Sequence, residues 1–172
     1  LGAALARARV RGFQGTDPAA PDKVLACAKH WVGYAAAEGG RDYNTTEISE
    51  TTLRDVVFPP FRAALDAGVA TVMSAFNDLN DVPASANPFT LTQVLRREWG
   101  FDGPVVSDYT AVPELITHGV AADGADAARQ ALTAGVDIEM VSRLYGANGT
   151  GLPLAAVDEA VRRVLRAKIR GG

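Results

Sequence analysis

Short apolar runs and longer amphipathic stretches take turns along this chain, with turn or cap residues at the junctions. The Ala/Arg-rich segment from Leu1 to Phe13 reads as a helix with no strand before it. Val24 to Lys29 reads as a strand, and a polar loop over Gly33 to Ile48 follows. Ser49 is placed to cap a helix from Thr52 to Ala67, which Gly68 stops. Pro59-Pro60 lies near the middle of that helix, where missing N–H groups and ring clashes predict a break or kink. A strand over Val69 to Phe76 and a loop over Asn77 to Asn87 come next. Asn87-Pro88 pairs a cap with a first-turn proline for a helix ending near Trp99, before Gly100. Val105 to Asp108 is a third strand, and Asp123 caps a helix over Ala125 to Ala134 that ends at Gly135. Val136 to Met140 is a fourth strand, and Ala155 to Ile169 a last amphipathic helix.

Strands alternating with helices imply an α/β fold, a parallel sheet joined by right-handed crossovers. A complete eight-stranded barrel takes about 250 residues, whereas this chain has 172 and opens on a helix that lacks its strand. The expected architecture is therefore the second half of a (β/α)8 TIM-type barrel; an open sheet of four or five strands is the alternative. With 48% hydrophobic residues the chain can bury a real core and suits one domain.

Composition excludes several classes. The net charge is only −3 and the 17 basic residues are scattered, so no nucleic-acid footprint is expected. No apolar run approaches the roughly 18 residues of a membrane span. Cys27 is the single cysteine, which rules out an internal disulfide or a cysteine-rich zinc site, and the two histidines stand far apart in sequence. The chain starts at Leu1 without a signal-like segment, so targeting information is expected to be absent or removed.

Candidate chemistry gathers where the strands end. Pro104-Val105-Val106-Ser107 runs into Asp108, and the carboxyl ends of parallel strands are where ligands bind and reactive side chains project. An aspartate there can attack or stabilise an electrophilic carbon; a hydrogen-bonded structural carboxylate is the plainer alternative. The first strand ends in Lys29-His30-Trp31, the second in Phe76-Asn77 and the fourth in Glu139-Met140. Neighbouring residues of a regular strand face opposite sides. Lys29 and His30 can serve one ligand only if the backbone from Lys29 to Trp31 is irregular, strained or contains a cis non-proline peptide.

Six segments, in order, carry a resemblance. They are Ala28-Lys29-His30-Trp31, Gly39-Gly40-Arg41-Asp42-Tyr43-Asn44, Pro59-Pro60-Phe61, Val72-Met73-Ser74-Ala75-Phe76-Asn77, Val106-Ser107-Asp108-Tyr109 and Gly135-Val136-Asp137-Ile138-Glu139-Met140. Together they resemble glycoside hydrolase family 3, in its β-glucosidase branch, from about Val10 to Ile169. The resemblance implies hydrolysis of terminal β-D-glucosidic bonds by a retaining double displacement. One carboxylate attacks the anomeric carbon while a second, about 5 to 5.5 Å away, protonates the leaving oxygen. Asp108 matches the nucleophile, and nearby cations such as Lys29 would favour its ionised form. Lys29 and His30 match the pair that holds sugar hydroxyls in the −1 subsite. The resemblance also places the loop with Arg41 and Asp42 near the sugar, a surface ion pair between the two being the alternative. Phe76 then packs beneath the sugar, and Tyr109 forms a wall of the subsite. Glu139 either points into the site or pairs with a basic neighbour.

The same resemblance shows what lies outside this sequence. The family's general acid/base is a glutamate of a later domain, and upstream segments supply a further aspartate and arginine of the sugar site. The branch that takes its acid/base from an Asp–His pair is disfavoured, because Gly33 to Ile48 contains no histidine. Two departures are local. Asp81 stands where relatives have glycine, in a left-handed turn that suits aspartate less well. Gly146 to Gly151 replaces a longer helical link and predicts a mobile or rebuilt segment. No metal or organic cofactor is expected, since two carboxylates suffice. The expected partner is a β-glucoside or related oligosaccharide, with self-association or complementation by the missing half-barrel as a further expectation. A half-barrel that folds or pairs without hydrolysing anything is the competing reading.

Overall fold

The computed structural model describes residues 1–172. Helix α1 (Gly2–Gln14) leads into strand β1 (Cys27–Trp31), and the loop beyond it carries the short strand β2 (Thr45–Thr46). Ser49 caps the next helix by accepting the Thr52 N–H, as its position predicts. That helix, α2, is built from three consecutive pieces, Glu50–Thr52, Leu53–Val57 and Phe58–Asp66. It does not break at Pro59-Pro60. The turn over Leu53–Val57 is π-wide, the Phe58 N–H reaching back to the Leu53 carbonyl, and the chain re-enters α geometry with both prolines in the first turn. There their missing N–H groups cost least.

Strand β3 (Thr71–Ser74) follows, then a hairpin of β4 (Asp78–Leu79) and β5 (Val82–Pro83) inside what the sequence reads as loop. β2, β4 and β5 form a small sheet of their own. Asn80 and Asp81 at the hairpin tip have φ of 51° and 67°. The left-handed turn expected at Asp81 is present, and aspartate fills it. Asn87 caps helix α3 (Phe89–Glu98), which is π-wound along its length, accepting the N–H groups of Phe89 and Thr90 at 3.0 and 3.2 Å. Strand β6 (Val105–Tyr109), a short helix α4 (Glu114–Thr117), helix α5 (Gly124–Ala134) capped by Asp123, strand β7 (Ile138–Met140), helix α6 (Leu144–Ala147) and helix α7 (Leu154–Arg170) complete the chain. In the segment Gly146 to Gly151, α6 ends at Ala147 and a tight turn follows over Gly149–Gly151.

The main sheet has the order β1-β3-β6-β7, every pair parallel, with neither outer edge paired. Four such strands, each backed by helices, are one half of an eight-stranded barrel. The register Ala28↔Val72↔Val105 places one row against the helices, where Val72 and Val105 are fully buried. The row Met73↔Val106↔Ile138 lines the opposite, open face. No helix is long and apolar enough to cross a membrane.

Strand boundaries differ from those the apolar runs suggest. β1 starts at Cys27 rather than Val24 because the preceding backbone serves α1: the Val24 N–H bonds to the Phe13 carbonyl, and Gln14 staples the junction. The buried Gln14 amide accepts from the N–H groups of Ala26 and Ala70, both at 3.0 Å, and donates to the Gly68 carbonyl at 2.8 Å. A polar helix residue thus does the pairing that a longer strand would have done.

Behind β1, Trp31 is fully buried and anchors the strand to the helical layer. Its ring lies 5.1 Å from Phe58, 5.0 Å from Phe61 and 5.3 Å from Trp99, and its indole N–H reaches the Thr90 carbonyl at 3.3 Å. This aromatic cluster fixes the end of the strand that carries Lys29 and His30.

Candidate active site

β1 and β6 both flank β3, so their carboxyl ends lie one strand apart. β6 is brought close at its start by Gly103, where a Cβ would sit 2.2 Å from the Ala70 carbonyl oxygen. Only glycine permits that approach. At its other end β6 carries Asp108, which is 7% exposed. Its Oδ1 accepts the Tyr109 N–H at 2.8 Å. Its Oδ2 lies 3.1 Å from Nε2 of His30, but with no well-aligned donor, so this buried oxygen is left without a hydrogen bond. An unsatisfied buried carboxylate oxygen costs stability, and groups of that kind collect where chemistry is done.

The expected irregularity of β1 is present. The Lys29–His30 and Trp31–Val32 peptide bonds are cis, and the β1–β3 register slips between Ala28 and Trp31. His30 and Asp108 meet at the mouth of the sheet. Lys29 beside them is exposed and pairs with no acid. Burial pushes the His30 imidazole below the usual histidine range, with the Lys29 charge adding to the push and Asp108 opposing it. His30 is accordingly neutral near pH 7.

Beyond β1, Gly33 at φ 87° turns the chain into two tight turns, Tyr34–Ala36 and Glu38–Gly40. Asn77 holds this turn from below, donating to the Val32 carbonyl at 3.3 Å and to Oγ1 of Thr46 at 3.2 Å. Asp42 does not pair with Arg41; it accepts the hydroxyl of Tyr34. Arg41 is exposed and has no ion pair. Phe76, at the end of β3, packs 4.4 Å from the ring of Tyr43 and 6.2 Å from that of Tyr34. The Tyr43 hydroxyl reaches the Tyr109 carbonyl at 3.4 Å, tying the loop to β6, while the Tyr109 side chain stands 55% exposed beside Asp108. Glu139 takes neither of its expected roles: its carboxylate accepts the Ser142 hydroxyl at 2.5 Å and the Tyr145 N–H at 2.7 Å, closing the turn after β7.

Of the residues singled out from sequence, His30 and Asp108 are in contact, Lys29 is the sequence neighbour of His30, and Tyr109 that of Asp108. Phe76 joins them through aromatic packing, Asp42 through Tyr34. Arg41 stands apart on the loop. Sequence reading missed Tyr34, Tyr43 and Ser107. The last is buried, its Oγ accepting the Met140 N–H at 2.9 Å and so joining β6 to β7. Tyr34 and Tyr43 had a visible signal: two aromatics flanking a glycine-rich loop just after a strand end.

The geometry can be set beside known proteins. The glycosyl hydrolase family 3 N terminal domain model matches residues 1–167. A periplasmic beta-glucosidase of Salmonella typhimurium is 45% identical over 165 residues, 92% of this chain and 22% of that protein. A beta-xylosidase of Formosa agariphila is 39% identical over 180 residues, 95% of this chain and 25% of that protein. The solved beta-glucosidase of Listeria innocua in complex with glucose superposes with a TM-score of 0.92 at 38% identity, over 96% of this chain and 24% of that one. The chain thus spans about a quarter of the length of the relatives it matches.

Proposed function

The chain belongs to glycosyl hydrolase family 3, and from that premise we propose that it carries the nucleophile half of a retaining β-glucosidase active site. The observation that carries the reading is Oδ2 of Asp108: buried, without a hydrogen bond and 3.1 Å from Nε2 of His30. The Tyr109 N–H occupies Oδ1 and fixes the carboxylate plane, leaving Oδ2 as the attacking atom. In the first displacement Oδ2 bonds to the anomeric carbon as the glycosidic C–O bond breaks, and an acid from outside this chain protonates the departing oxygen. In the second, water attacks that carbon, the same group takes its proton, and Asp108 leaves as the carboxylate.

Lys29 and neutral His30 donate to hydroxyls of the −1 sugar, and Arg41 reaches over from the loop. Asp42 holds the Tyr34 hydroxyl at the edge of the site. Phe76 and Tyr109 present apolar surface to the C–H face of the pyranose. The upstream half-barrel and the acid/base domain complete the site. A β-glucoside or a related oligosaccharide is the substrate; beta-glucosidase and beta-xylosidase relatives are matched alike, so the choice rests on contacts to the exocyclic hydroxymethyl group.

The test is Asp108→Asn in the enzyme that carries this chain. Shape is kept and the nucleophile is lost, so kcat is expected to fall by about three to five orders of magnitude with KM changed far less. A slow fluoroglucoside is expected to leave a covalent sugar on the peptide containing Ser107-Asp108-Tyr109. Label on Asp42, Glu38 or Glu139 instead would reassign the nucleophile. The unpaired outer edges of β1 and β7 favour one second reading, a half-barrel that pairs without hydrolysing. The two separate on Asp108→Asn in the enzyme that carries this chain, where the pairing reading expects unchanged turnover, and on the mass in solution of the 172-residue chain, where it expects a dimer.

A further inference from the structure

We propose that Tyr34 is a positioning residue for the site: Asp42 holds its hydroxyl, and its ring in turn holds His30 against Asp108. The inference rests on the hydrolase reading above and extends it to two loop residues. The ring of Tyr34 stands 4.9 Å from the imidazole of His30, inclined at 54°. On its other side lies Phe76, 6.2 Å away. The phenol is pinned at its far end by the Asp42 carboxylate, and its backbone is set by the turn at Gly33. The hydrogen bond to Asp42 pushes the Tyr34 hydroxyl up to about 12, so it remains a donor throughout the working pH range.

The result is a chain of contacts, Asp42–Tyr34–His30–Asp108, spanning the loop and the mouths of two strands. The ring of Tyr34 packs against the imidazole, and the charges that act on it are those of Asp108, Lys29 and Asp42. His30 has no hydrogen bond of its own to fix its ring plane, since its approach to Oδ2 is not an aligned one. Ring packing is then what sets the imidazole orientation. A reacting carboxylate misplaced by about an ångström can lose roughly a hundredfold in rate, so a side chain that touches no sugar can still govern turnover. In this scheme Asp42 acts through Tyr34 and not chiefly through the substrate.

The experiment has a kinetic arm and a spectroscopic one. In the enzyme that carries this chain, Tyr34→Ala is expected to lower kcat by about 10- to 100-fold with KM within about threefold. Tyr34→Phe keeps the ring and loses only the bond to Asp42, so most of the activity is expected to return. Asp42→Ala should match Tyr34→Phe, and the double variant should be no worse than either, because both remove one bond. Additive losses, or an Asp42→Ala effect confined to KM, would make Asp42 a direct sugar ligand and overturn the proposal. In the 172-residue chain, with only His30 and His118 to resolve, the proton NMR titration of His30 is followed in Tyr34→Ala and Tyr34→Phe. Uncovering the imidazole should move its midpoint upward in the alanine variant and leave it in the phenylalanine variant. An unmoved midpoint in Tyr34→Ala refutes the packing role whatever the activity. Should Asp108→Asn retain turnover, the hydrolase reading fails, and the NMR arm still reports on Tyr34 alone.

Discussion

Asp108 and His30 show how differently two contacting residues register in sequence. The carboxylate was legible because a short apolar run ends on it, and strand ends are where such groups matter. The contact to His30 was legible only as a paradox of alternation, which the irregular end of β1 resolves. Tyr34 was visible only as an aromatic beside a glycine-rich loop, since its importance comes from what its ring touches. His30 also leads to a pH prediction. Its folded value lies below the ordinary one of about 6.5, because burial disfavours the cation. Between the two values the unfolded chain binds the proton and the folded chain does not, so stability rises with pH there. Stability from this group is fully present above about 6.5 and is lost as pH falls from there toward the folded value. Chemical unfolding at pH 7.5 and 5.5 is therefore expected to show a smaller loss for His30→Gln than for the unsubstituted chain. Equal losses would mean that His30 titrates alike in both states.

Helix limits were the best-read elements, because caps are local chemistry. Ser49, Asn87 and Asp123 each accept the backbone N–H groups their positions predict. Asn87 is the most buried of the three and takes two donors, so Asn87→Ala is expected to cost about 1 to 2 kcal/mol in denaturant unfolding. Strand limits were read less well, since whether Val24 or Cys27 begins β1 depends on Gln14, a partner ten or more residues away. The proline pair, expected to break or kink the helix, is met by a departure from α geometry just before it. A π turn holds one residue more than an α-helix needs, and this one lets the helix pass over Pro59-Pro60. Val56 lies within it, 66% exposed. Deleting Val56 would return the prolines to the helix interior with no wide turn before them, at a cost of roughly 3 kcal/mol or more. A deletion as stable as the parent in thermal melts would show that the wide turn is not what accommodates them.

Over the whole molecule, the alternation of strands and helices made half a barrel legible, while the polar ties between its layers were not. Asp137 reads in sequence as an ordinary strand residue. In the fold it is buried between the guanidiniums of Arg96 and Arg163, at 2.7 and 2.8 Å, and accepts the Val105 N–H at 2.8 Å. It thereby joins β6, β7, α3 and α7 at the end of the sheet away from Asp108. Asp137→Ala strands two cations and is expected to cost about 3 to 5 kcal/mol, with urea midpoints as the measure. Helix α7 depends on such ties to an unusual degree. Ala160 is its one fully covered residue, while Leu154, Val161, Leu165 and Ile169 face outward. Its last turns are instead held by Arg166 and Arg170 on Asp102, in exposed pairs. Exposed charges are screened within about 10 Å at 0.1 M ionic strength, and buried ones much less. The helix is thus fastened by a salt-proof link at Arg163 and a salt-soluble one beyond it, so added sodium chloride should peel α7 from its C-terminal end, amide exchange quickening first from Ala167 onward and stopping short of Arg163.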